Sequence, residues 1–385
     1  MSSDSRKKMP KNLPTQKETS RTPPEKPGKS SKKSMVLLKE KGDINLPSSN
    51  AFKSDQLDLF QTFLCNTHDE KDKLSNTIEL WDSLPKFAIS QQAMNGLRTK
   101  EGFLPRLEKT FVYRHKEYKI RVTPAIIDSE DDIDKAYYPS ANEELVEDAL
   151  RKIASEQQRG FFDKPEFKSG VVFSLHLLRT ELKKRGHSRS YYEIVKSLNI
   201  LSGSHIEILL PDGKGFAKTN YLPSLAAVSK EQIKDDPTAK WVAHFHPLVT
   251  QSIDSLSFRQ FNYHQMMSHS TQLARWIHKK LSHNYTNASY TVPYQIWLST
   301  IRRDSGLLEY KRTNDAVRKF EDALAELINN HALTAFSKLE DIRGEKNKIL
   351  DIKYSLSPHP EFVKDVKAAN KRQKDSKDKT EQQGQ

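Results

Sequence analysis

The sequence predicts an α+β fold, because one order of elements occurs twice along its 385 residues. Two amphipathic helices are followed by a hairpin of short strands, first over residues 143–225 and again over 290–357. Helix, tight turn, helix and hairpin is the order of a winged helix, a helix-turn-helix variant whose second helix enters the DNA major groove. The expected class is therefore two tandem winged-helix domains with disordered basic termini. Two copies on one chain suit a monomer that reads an extended, asymmetric DNA site.

Residues 1–50 are rich in Lys, Ser, Thr and Pro, as in Thr22-Pro23-Pro24-Glu25-Lys26-Pro27-Gly28. Such a segment buries too little apolar surface to offset its ordering entropy, which predicts a disordered tail. Residues 55–64 have the spacing of a short amphipathic helix. Cys65, beside Phe60, Phe63 and Leu64, reads as a small buried hydrophobe. As the sole cysteine it rules out an intrachain disulfide and a cysteine metal cage. Over 77–123 the chain reads as strands and turns. Phe111, Tyr113, Tyr118, Ile120 and Val122 alternate around His115-Lys116-Glu117, which predicts a hairpin. An acidic loop over 128–134 follows.

The first copy opens with a helix over 143–157, with Asn142 as its expected N-cap and two carboxylates, Glu143 and Glu144, in the first turn. Val171-Val172-Phe173 is a short strand. Ser174 caps a helix over 175–185, and Gly186 stops it, as a residue able to take positive φ should. Ser190 opens the next helix, 191–201. Its Tyr191, Ile194, Val195, Leu198 and Leu201 form one apolar stripe, leaving Arg189, Tyr192, Glu193, Lys196 and Asn199 outward. Strands over 204–210 and 216–222 pair across Pro211-Asp212-Gly213-Lys214-Gly215 as the first wing.

Residues 240–249 read as a strand joining the halves, and 258–268 and 271–283 as helices. In the last of these, Arg275, Lys279 and His283 recur at i, i+4 and i+8 as a basic stripe available for phosphate contact. The second copy starts at Pro293, with a helix over 294–303 running to the turn Asp304-Ser305-Gly306. Thr313 or Asn314 caps a long helix ending near Asn330, which buries Val317, Phe320, Leu324, Leu327 and Ile328. Strands over 333–340 and 349–356 form the second wing. A closing helix begins near Pro358 and dissolves into a charged tail. The expected domain limits are 1–50 (tail), 51–235 (first winged helix with a strand-rich extension), 236–363 (second winged helix) and 364–385 (tail).

The net charge of +13 is uneven. Residues 1–42 hold 12 Lys/Arg against 4 Asp/Glu, and 364–385 hold 7 against 4, so the middle of the chain is nearly balanced. Basic tails attract phosphate without sequence preference and with strong salt dependence. No apolar run approaches the roughly 20 residues that span a bilayer, and the basic start lacks the apolar stretch of a signal peptide. A soluble, cytoplasmic protein with no membrane partner is expected.

For base reading, Arg189, Tyr192, Lys196 and Asn199 lie on the first candidate recognition helix. Asn314, Arg318 and Lys319 lie on the second, preceded by Lys311 and Arg312. Arg and Lys suit guanine O6 and N7, and Asn suits adenine. Lys214 and Lys218 on the first wing, and Arg343, Lys346 and Lys348 on the second, are placed for phosphates, as are Arg275 and Lys279. No catalytic residue, metal or cofactor is expected. A Walker-type phosphate loop is absent. The catalytic alternative is His244-Phe245-His246, whose two imidazoles would share one strand face and could hold a metal while Tyr263, Tyr285 or Tyr290 attacks DNA. Against it, Pro247 follows at once. His264, His269, His278 and His283 include pairs at i, i+5, which sit roughly 140° apart on a helix and share no ligand face.

Several ungapped strings over about 77–356 resemble bacterial plasmid replication initiator (Rep) proteins. They include Glu144-Leu145-Val146-Glu147-Asp148-Ala149-Leu150-Arg151-Lys152, His246-Pro247-Leu248-Val249-Thr250 and Phe258-Arg259-Gln260-Phe261-Asn262-Tyr263. Ala274-Arg275-Trp276-Ile277-His278-Lys279, Ser282-His283-Asn284-Tyr285 and Ile301-Arg302-Arg303-Asp304-Ser305-Gly306-Leu307 continue the likeness. It implies an initiator that binds repeated sites (iterons) in double-stranded DNA at an origin and helps melt an AT-rich segment. It also implies recruitment of host replication initiation and helicase-loading proteins, and a possible homodimer. A winged-helix transcriptional regulator is the alternative with the same fold.

Overall fold

The computed structural model describes residues 72–128, 134–155, 159–211, 213–228 and 236–383, all within one unit, Asn45–Gln385. The expected N-terminal tail, the helix over 55–64, Cys65 and most of the acidic loop lie outside the described residues.

The N-terminal half begins with β1 (Leu74–Ile78), α1 (Glu79–Ser83) and α2 (Gln91–Leu97). The predicted hairpin follows as β2 (Leu107–Tyr113) and β3 (Lys116–Thr123). Its two-residue loop, Arg114 and His115, takes the positive φ angles (47° and 63°) that a tight hairpin turn demands. Two short strands, β4 (Ala125–Ile127) and β5 (Lys135–Tyr137), lead to α3 (Ala141–Ala154). The N-cap of α3 is Ser140 rather than Asn142: the Glu143 carboxylate accepts from the Ser140 N–H at 2.8 Å, closing a capping box.

Strands β6 (Gly160–Asp163) and β7 (Lys168–Phe173) precede α4 (Leu175–Lys184), and Gly186 breaks that helix with φ +86°. Helix α5 (Tyr191–Gly203) then starts at a second capping box, Ser190 with Glu193. The first wing is β8 (His205–Leu209) paired with β9 (Phe216–Asn220). Strand β8 also pairs with β3, so the wing is the outer half of a four-stranded sheet ordered β2-β3-β8-β9. This extension is what the expected strand-rich segment becomes.

The expected linking strand over 240–249 is shorter. Strand β11 (Lys240–His244) pairs with β10 (Leu225–Val228) and β7, and α6 (Pro247–Asp254) starts at the proline. Residues 258–268 are not one helix. Strand β12 (Phe258–Asn262) pairs antiparallel with β1, and only α7 (Tyr263–Met267) is helical. Phe258 and Phe261 fit a helical spacing, but a tertiary partner far upstream decides their conformation.

The C-terminal half starts at α8 (Gln272–Asn284). Strand β13 (Tyr294–Trp297) replaces the first turn of the expected helix at Pro293, because it pairs with a wing strand. Helices α9 (Leu298–Ser305) and α10 (Thr313–Asn329) flank a turn in which Gly306 takes φ +64°. Arg312, not Thr313 or Asn314, occupies the N-cap of α10, and its side chain makes no cap bond. The long second wing is β14 (Leu333–Arg343) against β15 (Ile349–Pro358), with β13 on the other side of β15. The chain then stays helical as α11 (Pro360–Gln383), well beyond residue 363, where a charged tail was expected.

Two hydrophobic cores result. One runs from Ile78 to Met267 and includes Trp81, Leu150, Leu198 and Trp241. The other runs from Leu273 to Val366 and includes Phe320, Leu324 and Tyr354. The change of core therefore lies between residues 267 and 273, later than the expected limit at 235/236. The cause is strand pairing: β11 and β12 are held by β7 and β1 of the N-terminal half. No helix among the described residues is long and apolar enough to cross a membrane.

Candidate nucleic-acid interface

Each half holds the two helices and hairpin of a winged helix, α4-α5 with β8-β9 and α9-α10 with β14-β15. On α5 the apolar stripe is inside: Ile194, Leu198 and Leu201 are fully buried. Tyr192, 60% exposed, projects from the first turn, and Asn199 is exposed two turns on. Lys196 is half-buried, with its ammonium 4.1 Å from the centre of the Tyr137 ring. Arg189 is also half-buried and donates twice to the Asn142 Oδ1, at 2.8 and 3.2 Å. Half of the expected first set is thus exposed. The other half is held by neighbours from β5 and the start of α3. Lys214 and Lys218 are exposed on the first wing, next to Phe216, which is 66% exposed.

On the second copy, Lys311, Arg312, Asn314, Arg318 and Lys319 are all exposed around the start of α10. Arg318 reaches Asp315 at 3.3 Å and Lys319 reaches Asp322 at 4.0 Å, both within the helix and both open to water. Such pairs contribute little and give way to a stronger anion. Arg343, Lys346 and Lys348 are exposed at the tip of the second wing. Lys346 and Asn347 hold φ of 55° and 59°, which tightens the turn.

Two expected phosphate contacts are withdrawn. Arg275 and Lys279 on α8 are buried, 2% and 5% exposed. Arg275 donates to the carbonyls of His269 and Ser270, both at 3.1 Å, and lies 3.3 Å from Glu144. Lys279 bridges Asp148 at 2.5 Å and Glu144 at 3.4 Å. Beside them Arg151 holds Asp82 at 2.7 Å and Asp148 at 2.7 Å. Burial opposes the charge on Lys279, but Asp148 and Glu144 raise its pKa above the ordinary lysine value. The stripe joins the two halves through a buried ionic network and does not face a duplex.

The histidine pair does not form the arrangement that a nicking enzyme would need. His244 ends β11, whereas His246 is the N-cap of α6, its Nδ1 accepting from the Leu248 N–H at 3.1 Å. The His246 ring stacks on Trp81 with centroids 4.2 Å apart, and burial pushes its pKa down to about 3. Tyr263 and Tyr285 are buried, while Tyr290 is 60% exposed. Among the described residues no group of three or more His, Cys, Asp or Glu side chains could hold a metal ion.

An open cleft of about 800 Å³ lies between the β2-β3 hairpin and the second helix-turn-helix, with Lys109, Lys119, Arg302, Arg303 and Lys311 on its walls. Of these, only Lys311 was among the expected contacts. The adjacent pair Arg302-Arg303 was the available sequence signal, since two cations end the first helix of a helix-turn-helix.

No family model matches the chain. No curated protein matches it either. Among solved structures it is similar to domains 2 and 3 of RctB, with a TM-score of 0.44 and 10% identity over 72% of this chain and 97% of that one. A second structure of the same RctB domains gives 0.39 and 12%, covering 70% and 97%. The Pi initiator protein, solved in complex with iteron DNA, gives 0.32 and 14%, covering 75% and 99%. The assignment of tandem winged helices stands on the strand and helix order above rather than on these scores.

Proposed function

We propose that the protein is a sequence-specific DNA-binding initiator of replication, acting at repeated sites of a plasmid or similar origin. One observation carries the DNA part. Helices α5 and α10 each follow a short connection holding a positive-φ glycine, Gly186 or Gly306, each show exposed polar side chains away from their own core, and each lead into a hairpin. The exposed Asn199, Asn314, Arg318 and Lys319 suit base edges, and the wing cations suit phosphates. Two such modules would span roughly two helical turns of duplex.

The replication part rests on the strings that resemble plasmid initiators, and with it come melting of an AT-rich segment and recruitment of host helicase-loading proteins. The protein acts by binding, in the cytoplasm, and needs no cofactor. Duplexes selected by the protein from random sequence supply the test. Arg318→Ala should cost about 1–3 kcal/mol on the selected site and relax its preference, read by fluorescence anisotropy. An equal loss on random DNA would count against the assignment. Initiation is tested separately: a plasmid without its own initiator should replicate when given this gene and its repeats. Failure there, with DNA preference intact, would leave a transcriptional regulator.

A further inference from the structure

Apart from Lys311, the lining of the cleft between the N-terminal sheet and the second helix-turn-helix lies outside the helix-and-wing contacts. One wall is β2-β3, with Lys109 and Lys119; the other is α9 and the segment entering α10, with Arg302, Arg303 and Lys311. Against these five cations the cleft holds two carboxylates, Glu108 and Glu309. Glu309 is taken by Lys109, and Glu108 lies closer to Arg121 (2.6 Å) than to Lys119 (3.9 Å). Arg303 is paired with Asp304 at 2.7 Å. Arg302 donates to the Tyr310 carbonyl at 3.1 Å, and among the described residues neither it nor Lys311 has a carboxylate partner. Five cations against two carboxylates leave the lining with excess positive charge. The cations without a carboxylate partner, Arg302 and Lys311, stand on one wall, and Lys119, half exposed and held only loosely by Glu108, stands on the other, on a different half of the chain.

In a helix-turn-helix the first helix crosses the sugar-phosphate backbone while the second enters the groove. Here α9 is that first helix, and Tyr310 and Lys311 lead directly into α10, so in that docking geometry the strand bordering the groove read by α10 would run past the mouth of the cleft. We propose that this cleft grips the phosphodiester backbone of the bound duplex, with Lys119 of the N-terminal sheet and Arg302 of the second helix-turn-helix holding the same stretch of strand. The inference rests on the DNA-binding function proposed above. It adds a third contact surface and makes the β2-β3 hairpin part of the interface. The recognition helices read bases, whereas this contact is blind to sequence.

The test is the salt dependence of affinity of the full chain for its selected duplex and for a random duplex. Each phosphate contact contributes a slope of about −0.9 in log K against log salt. Lys119→Gln and Arg302→Gln should each flatten that slope by about 0.9 on both duplexes. Between about 50 and 200 mM salt, each variant then loses about 3.5-fold less affinity than the parent. Thr110→Lys adds a cation to the same wall and should steepen the slope. Unchanged slopes in all three variants, with the parent still preferring its site, would overturn the cleft contact and leave the DNA-binding function standing. A parent without site preference would instead overturn that function, and the slopes on random duplex would still judge the cleft. Tripolyphosphate or ATP binding tightly without DNA, and lost in Lys119→Gln, would assign the cleft to a free phosphate ligand and refute the proposal.

Discussion

Arg275 and Lys279 sit four residues apart on α8, and their partners Glu144 and Asp148 sit four apart on α3. Arg275 and Lys279 alone have the spacing of a solvated helix face, so the sequence reads them as surface. Only the packing of α3 on α8 shows that the two stripes face each other. The consequence is quantitative. Removing one member of a buried pair strands its partner's charge, so Lys279→Ala should lower unfolding free energy by about 3–5 kcal/mol in urea. Arg318→Ala, at an exposed position, should change it by less than about 0.5 kcal/mol. Equal effects would mean that the network is open to water. The buried histidines predict a pH effect. Burial pushes His246 to about 3, His269 and His283 to about 4, and His278 well below its ordinary 6.5. Unfolded, these rings take protons near 6.5; folded, they resist, so the unfolded state binds more protons between 6.5 and about 4. Stability present above that window is lost as the pH falls through it. Asp82 and Asp148 stay charged there, since Arg151 and Lys279 outweigh their burial and keep both below the usual carboxylate range. The urea midpoint should therefore drop between about pH 7 and pH 5. A flat profile would show that the rings are already solvated.

At the scale of elements, the two turns of the helix-turn-helix motifs are not equivalent. Both glycines take positive φ, +86° at Gly186 and +64° at Gly306. A Cβ at Gly186 would meet nothing within 4 Å, whereas one at Gly306 would lie 2.6 Å from the Ala88 Cβ in the loop before α2. Gly186→Ala should thus cost only the left-handed penalty, about 1–2 kcal/mol. Gly306→Ala should add about 1–3 kcal/mol for the clash. Thermal unfolding of the two variants checks the order, and a larger shift for Gly186→Ala would contradict the packing. These turns were legible in the sequence because glycine and the Ser190-Glu193 box are local signals. So were α4, α5, α10 and both wings, whose apolar spacing is continuous over many residues. Strands β12 and β13 were not legible: each is four or five residues long, and only a distant partner makes it a strand. The last half of α11 was hidden for a related reason, since its charged composition resembles a tail until its docking surface is known.

At the scale of the molecule, α11 ties the two cores together. Phe362, Val363 and Val366 enter the second core, while Asn370 accepts from Arg259, and Arg372 and Gln373 reach Gln260 and the Phe258 carbonyl on β12. A chain ending at His359 should unfold in two calorimetric transitions in place of one, because the strap over β12 is gone. A single unshifted transition would show that the ionic network between α3 and α8 suffices. The candidate interface is legible at this scale only in part: the recognition helices could be read from pattern, but the cleft could not, since β2-β3 and α9 meet only after both cores have formed. The pairing of β1 with β12 sets a schedule for biosynthesis. Ile78 waits for Phe258, and the ribosome needs about ten to forty seconds to translate the intervening stretch. Until then the nascent first half carries β1 without its partner, an unpaired strand edge that other chains could pair with.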